Sequence, residues 1–147
     1  MTNILEIKEY HIDYHQGVQH LLRQLTAEKV ILTETDFLQI LTSKNSHLFL
    51  LTQDNTIAGM LTIGTYCSPT GKKAWIEDVV VDEKCRGKGY GKLLVEHAIQ
   101  FVKSRQIPLL MLTSNPKRII ANRLYPRMKF ERKETNVYRM NPTETPD

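Results

Sequence analysis

Apolar positions along the chain switch between two periods, and the switches mark the elements. From Leu5 to Ile12 (L-E-I-K-E-Y-H-I) apolar and polar residues alternate well enough for a first strand. Val18, Leu21, Leu22 and Leu25 then follow the i, i+3, i+4, i+7 template, which predicts an amphipathic helix. Thr33-Glu34-Thr35-Asp36 offers helix caps, and Phe37, Leu38, Ile40 and Leu41 give a second, short helix its apolar face. His47 to Thr52 and Thr56 to Tyr66 read as two strands joined at Asp54-Asn55, a pair that tolerates a tight hairpin turn. Ser68-Pro69-Thr70-Gly71 marks another turn, before a strand from Lys73 to Val81. Three consecutive antiparallel strands are expected from this stretch.

The next segment organises the chain. Val79, Val80 and Val81 end at Asp82, a basic glycine-rich loop follows, and Leu94, Ala98, Phe101 and Val102 recur at helical spacing. Ile107 to Leu112 is a continuous apolar run, as expected of a strand covered on both faces and parallel to the Val79 strand through a right-handed crossover. Ile120, Leu124 and Met128 would form the buried stripe of a later helix, Lys133 to Met140 a last strand, and Asn141 to Asp147 a frayed tail. The order βααβββαβαβ predicts an α+β, three-layer αβα fold. Its sheet would be mixed, mostly antiparallel and twisted, with helices on both faces, forming one domain over residues 1–140 with a flexible tail over 141–147.

Composition narrows the function. A chain of 147 residues suits one compact domain. It carries no apolar run long enough for a membrane span and no leader-like start, so a soluble cytoplasmic protein with no membrane partner is expected. Two cysteines, Cys67 and Cys85, imply neither a disulfide framework nor a multi-cysteine metal site, and no metal is expected. Cys85 stands among Lys84, Arg86 and Lys88, but no histidine partner occurs in a recognisable motif, so a bystander thiol is the simpler reading.

The formal charge is only +4, from 20 Lys and Arg against 16 Asp and Glu, yet the basic residues cluster. Lys84, Arg86, Lys88 and Lys92 surround the glycine-rich loop, and Lys117, Arg118, Arg123, Arg127, Lys129, Arg132 and Lys133 follow further on. Such surroundings raise the local concentration of an anionic ligand. Nucleic acid is disfavoured, because no aromatic stacking platform interleaves with these charges.

The loop Arg86-Gly87-Lys88-Gly89-Tyr90-Gly91-Lys92 would set several backbone N–H groups at the start of a helix, where unpaired amides and the helix dipole attract an anion. That is a pyrophosphate cradle. Lys92 is followed by Leu93 rather than Ser or Thr, which excludes the nucleoside-triphosphate loop. Gly87, Gly89 and Gly91 are spaced by two, which excludes the dinucleotide fingerprint.

Arg86, Gly89 and Gly91 instead form R-x-x-G-x-G directly after a strand that carries acids, and this resembles the acetyl-CoA loop of the GNAT superfamily of N-acetyltransferases. Further on, Ala121-Asn122-Arg123-Leu124-Tyr125-Pro126-Arg127-Met128-Lys129-Phe130 is similar to the superfamily's A-x-x-L-Y-x-x-x-G-F segment. The two motifs together span Trp75 to Tyr138, somewhat under half the chain.

The resemblance implies a strand that splays from its parallel neighbour and offers Val79, Val80 and Val81 to the acetyl and pantetheine groups. The Val79 amide would polarise the carbonyl. Glu77 and Asp78 become candidate bases, Glu77 first, since adjacent strand residues face opposite ways and only one meets a given amine without a bulge. Tyr125 becomes the candidate donor to the leaving thiolate. Asn115 and Asn122 are candidates for hydrogen bonds to the CoA arm, although Ser114-Asn115-Pro116 also looks like a helix start. The helical pair near the N-terminus would help wall the acceptor site.

The implied activity is acetyl transfer from acetyl-CoA to a primary amine by direct attack in a ternary complex. The acceptor would be a small cationic amine or amino sugar; the alternatives are protein N-termini or lysines, or a non-catalytic CoA-binding sensor. Exposed strand edges leave room for a homodimer. Three positions depart from the family pattern: Arg118 where Asn is common, Lys129 where Gly is common, and Pro126 directly after Tyr125.

Overall fold

The computed structural model describes residues 1–144 and divides into two units, Met1–Thr113 and a second that begins at Ser114. The first unit holds β1 (Thr2–Ile7), α1 (Ile12–Leu25), α2 (Glu34–Thr42), β2 (Ser46–Gln53), β3 (Thr56–Ser68), β4 (Gly71–Val81), a 3-10 turn (Glu83–Cys85), α3 (Tyr90–Ser104) and β5 (Leu110–Leu112). The second holds α4 (Ile119–Arg127). Among the described residues no helix is long and apolar enough to cross a membrane.

The five strands form one sheet in the order β1-β2-β3-β4-β5. β1 to β4 pair antiparallel, and β5 joins β4 in parallel. The β2–β3 hairpin closes at Asp54 and Asn55, both at positive φ (48° and 65°), the backbone that a two-residue turn of this hand requires.

Strand alternation sends side chains to two cores. On one face Ile7, Leu48, Leu50, Met60 and Val80 pack with Val18 and Leu21 of α1 and Phe37 and Leu41 of α2. On the other, Phe49 meets His97 and Phe101 of α3 with ring centroids 4.7 and 5.3 Å apart. Helices therefore cover both faces of the sheet, as the sequence pattern predicts. Each fully buried leucine in such a core contributes about 1.5–3 kcal/mol of transfer energy.

Several boundaries differ from the sequence reading. β1 stops at Ile7, because His11 caps α1 with its ring accepting the Asp13 N–H, which draws Ile12 into the helix. β5 spans only three residues, all half-buried rather than covered on both faces, and Pro108 just before it has no N–H to donate. α4 begins at Ile119 rather than beside Pro116. Ile120, expected in its buried stripe, is 85% exposed, while Leu124 and Met128 are half-buried and Tyr125 is buried. The expected strand from Lys133 to Met140 does not form; those residues take no regular structure, and Val137, Tyr138 and Met140 are exposed. Of the expected tail, Asn141–Glu144 close a turn in which the Glu144 N–H donates to the Asn141 carbonyl at 3.0 Å, and 145–147 lie outside the described residues.

Candidate active site

β4 leaves its parallel neighbour part-way along. β5 pairs with Ala74, Trp75 and Ile76 only, so from Glu77 to Val81 the strand has β3 on one side and, among the described residues, no strand on the other. Val79, Val80 and Val81 lie on this unpaired stretch, Val80 with its side chain in the α1/α2 core and the other two half-buried.

The register with β3 shifts within the same stretch. Thr62 faces Glu77 and Met60 faces Val80, so one β3 residue, Leu61, stands opposite both Asp78 and Val79. This is a β-bulge, and Asp78 takes φ +53° within it. Aspartate tolerates that left-handed backbone better than most residues. Strict alternation would set Glu77 and Val80 on opposite faces. The extra residue puts both on the face that carries Thr62 and Met60, with Val79 and Val81 on the other.

Glu77 and Asp78 both reach solvent, yet both hold their protons more tightly than usual. Loss of hydration raises the Glu77 pKa, and the neighbouring Asp78 charge raises it further; loss of hydration raises that of Asp78. A carboxylate placed this way can accept a proton from an ammonium group.

The glycine turn opens α3. Gly89 is the N-cap at φ 80°, ψ 14°, and makes no side-chain cap. The first intrahelical bond runs from the Leu93 N–H to the Gly89 carbonyl at 3.1 Å, which leaves the amides of Tyr90, Gly91 and Lys92 without helical acceptors. A Cβ at Gly87, Gly89 or Gly91 would meet no atom within 4 Å. The turn thus combines three amides free of helical acceptors with glycine backbone that no neighbour covers on its Cβ side.

Around this opening the cations are exposed and already oriented. Arg86 Nε donates to the Val81 carbonyl at 3.3 Å, Lys88 Nζ to Gln53 Oε1 at 3.3 Å, and Lys92 lies 3.7 Å from Glu96 one turn along α3. Tyr90 is buried and anchors the first turn rather than facing solvent. Cys85 is a free, half-buried thiol. Among the described residues no group of three His, Cys, Asp or Glu side chains could hold a metal ion.

In the second unit, Asn115 and Asn122 serve the local backbone. Asn115 Oδ1 accepts from the Lys117 N–H at 2.9 Å, and Asn122 Nδ2 donates to the carbonyls of Asn115 and Arg118 at 2.8 and 2.9 Å. The capping role foreseen for Asn115 is therefore occupied as a turn ahead of α4. Tyr125 is buried on the final turn, its ring edge-on to Phe130 with centroids 5.8 Å apart. Burial raises the pKa of its phenol, against a smaller opposing pull from Arg118. Pro126 falls inside the last turn, and Lys129 takes φ +70° just beyond it, the left-handed helix exit for which glycine is usual.

Sequence reasoning missed His20 and Gln24. His20 Nε2 lies 3.1 Å from Asp82 Oδ2, and Gln24 Oε1 accepts the Glu83 N–H at 2.8 Å. Both read as ordinary polar positions on an amphipathic helix, and nothing local ties them to a turn some sixty residues away.

A family model described as the acetyltransferase (GNAT) family matches residues 11–130. The chain belongs to the GNAT family of acetyltransferases. Its relatives include an uncharacterised N-acetyltransferase of Bacillus subtilis, 28% identical over 107 residues and covering 71% of this chain and 75% of that one. A glucosamine 6-phosphate N-acetyltransferase of Arabidopsis thaliana is 30% identical over 114 residues, covering 71% of this chain and 76% of that one. The fold matches that of an aminoglycoside acetyltransferase from an uncultured soil metagenomic sample with a TM-score of 0.85 at 19% identity, across 97% of both chains. The open five-stranded sheet with helices is thus the fold of this acetyltransferase family, and the chain is an acetyltransferase.

Proposed function

We propose that this GNAT acetyltransferase moves the acetyl group of acetyl-CoA directly to a primary amine bound beside it in a ternary complex. The observation that carries the reading is the unpaired, bulged stretch of β4, which joins two carboxylates of raised pKa at its start to a glycine turn with unpaired amides at its end. The amides from Gly89 to Lys92 hold the diphosphate, with Arg86, Gly87, Lys88 and Lys92 around it. The backbone of Val79–Val81 lies along the pantetheine arm, and the Val79 amide polarises the thioester carbonyl.

Glu77 takes a proton from the substrate ammonium, directly or through water, with Asp78 as the second candidate. The freed amine attacks the carbonyl carbon, the C–N bond forms, and collapse breaks the C–S bond. The second amine proton leaves to solvent, and Tyr125 supplies a proton to the departing thiolate and is reprotonated from solvent. Asn115 and Asn122 are secondary candidates for the CoA arm. Residues 1–140 make up the catalytic domain.

A small cationic amine or amino sugar is the favoured acceptor, supported by the paired acids and by the glucosamine 6-phosphate relative. The test is to incubate the purified protein with acetyl-CoA and a panel of polyamines, amino sugars, amino-sugar phosphates and peptides while following free thiol. Turnover above hydrolysis with one amine class supports the reading. A folded protein that binds CoA and acetylates nothing in the panel makes it a sensor.

A further inference from the structure

The turn that leads from β4 into the glycine loop is held from outside by α1. Asp82 is buried although it carries a charge, and its main-chain N–H donates to the Ala58 carbonyl at 2.8 Å, which fixes the strand end on β3. Its carboxylate accepts the Lys84 N–H at 3.0 Å and faces His20 Nε2 at 3.1 Å. One residue on, the Glu83 N–H donates to Gln24 Oε1 at 2.8 Å, and Gln24 Nε2 lies 3.0 Å from His20 Nε2.

His20 and Gln24 are four apart on α1, so they stand on one line of the helix, beside the buried Val18 and Leu21 that seat α1 on the sheet. A rigid, core-packed helix therefore grips two consecutive residues of the turn. The neighbouring line of α1 holds a different segment: Gln19 accepts the Leu32 N–H and donates to the Val30 carbonyl, each at 2.8 Å, and His15 Nε2 is 2.6 Å from the Leu32 carbonyl.

We propose that His20 and Gln24 are positioning residues for the diphosphate turn, fixing through Asp82 and Glu83 the direction in which Arg86–Gly89 leaves the sheet. The proposal rests on assigning that turn to the acyl carrier. Neither side chain needs to touch the ligand. Gly87 and Gly89 are conformationally free, with φ values of 81° and 80° and no neighbour within 4 Å of a Cβ, so the turn has little of its own to hold it between β4 and α3. Main-chain donors aimed at a diphosphate bind well only when ordered beforehand, and the α1 clamp supplies that order.

The experiment compares wild type with Gln24→Leu, His20→Leu, the conservative Gln24→Glu, and Gln19→Leu, which frees the other segment. CoA affinity is read by calorimetry, and steady-state KM is read separately for acetyl-CoA and for the acceptor. Hydrogen exchange of the Glu83 and Lys84 amides is followed without ligand. His20 is more than half exposed and Gln24 half-buried, so these variants are expected to fold.

Removing one bond to the turn should raise the CoA Kd and the acetyl-CoA KM about five- to tenfold and speed exchange at Glu83 or Lys84. Acceptor KM should stay unchanged. Gln24→Glu, which keeps the acceptor oxygen, should bring affinity back to within about twofold of wild type, and Gln19→Leu should leave CoA affinity alone.

Unchanged CoA affinity in both Leu variants, with a wild type that binds CoA, overturns the clamp and leaves the reading of the turn intact. Equal losses in CoA affinity, acceptor KM and thermal stability also overturn it, since they mark a merely structural role. A wild type that binds no CoA overturns the reading of the turn and the proposal together.

Discussion

Gly89→Ala tests the diphosphate turn with a change whose two effects are calculable separately. The residue caps α3 at φ 80°, ψ 14°, and an added Cβ would meet nothing within 4 Å, so within the protein the methyl clashes with no neighbour. The structural cost is the left-handed backbone, about 1–2 kcal/mol for an L-residue. Reduced freedom of the unfolded chain offsets about 0.4–1 kcal/mol of that. A net loss of about 1 kcal/mol corresponds to a fall of about 2–4 °C in Tm for a chain of this size.

Binding should suffer more. If residue 89 escapes the strain by rotating, the amides from Gly89 to Lys92 no longer converge, and each lost hydrogen bond to a charged acceptor costs about 1.5–3 kcal/mol. The CoA Kd should then rise at least about tenfold and up to a hundredfold or more. Calorimetric titration with CoA, alongside thermal melts of the free protein, reads both numbers. Gly91→Ala is the internal comparison: it adds the same methyl where the backbone is helical, and should raise Tm by the equivalent of up to about 1 kcal/mol. A Gly89→Ala protein whose melt shows less than the calculated loss, so that residue 89 has rotated, yet binds CoA within twofold of wild type would refute the assignment of the turn.

Glu77→Gln should lower turnover by a factor of about 10²–10⁴ while leaving CoA affinity near wild type, and Tyr125→Phe should do the same if the phenol serves the thiolate. Because desolvation, and then the Asp78 charge, raise the Glu77 pKa, kcat/KM should climb with pH through an inflection above the ordinary 4.5; an inflection at or below that value rejects the base role. Asp78 also has a raised folded pKa, so its contribution to stability is full below the unfolded pKa and lost as pH rises through the folded one. Asp78→Asn should therefore raise Tm at pH 7 and leave it unchanged at pH 3, and identical shifts at both pH values would contradict this. Gly59→Ala would set a Cβ 3.0 Å from the Val80 carbonyl oxygen and 3.2 Å from Leu94 Cδ1, an overpacking worth about 1–3 kcal/mol that a denaturant midpoint should report.

The parts of the site that were legible in the sequence are those that local chemistry dictates. Gly87 and Gly89 announce positive φ, Asp54-Asn55 announces a tight hairpin, and the spacing of Leu94, Ala98 and Val102 announces the buried face of α3. The illegible parts depend on distant partners. The bulge exists because Glu77 and Val80 are registered on Thr62 and Met60, and no feature within β4 itself counts that mismatch. His20 and Gln24 meet Asp82 and Glu83 only after the sheet has formed. The stretch Lys133–Met140 has strand-like composition, but a strand needs a ladder partner, and composition alone cannot supply one.

The single supernumerary residue in β4 also sets what this enzyme can tolerate as it diversifies. Acids at positions 77 and 78 can be exchanged for other side chains without disturbing which way the valines point. Deleting Asp78 would restore strict alternation with Val80 still in the α1/α2 core, and would remove the bulge and the positive-φ main-chain turn that it places beside Glu77. Attempts to recruit new acceptors should accordingly vary letters along this strand and conserve its length.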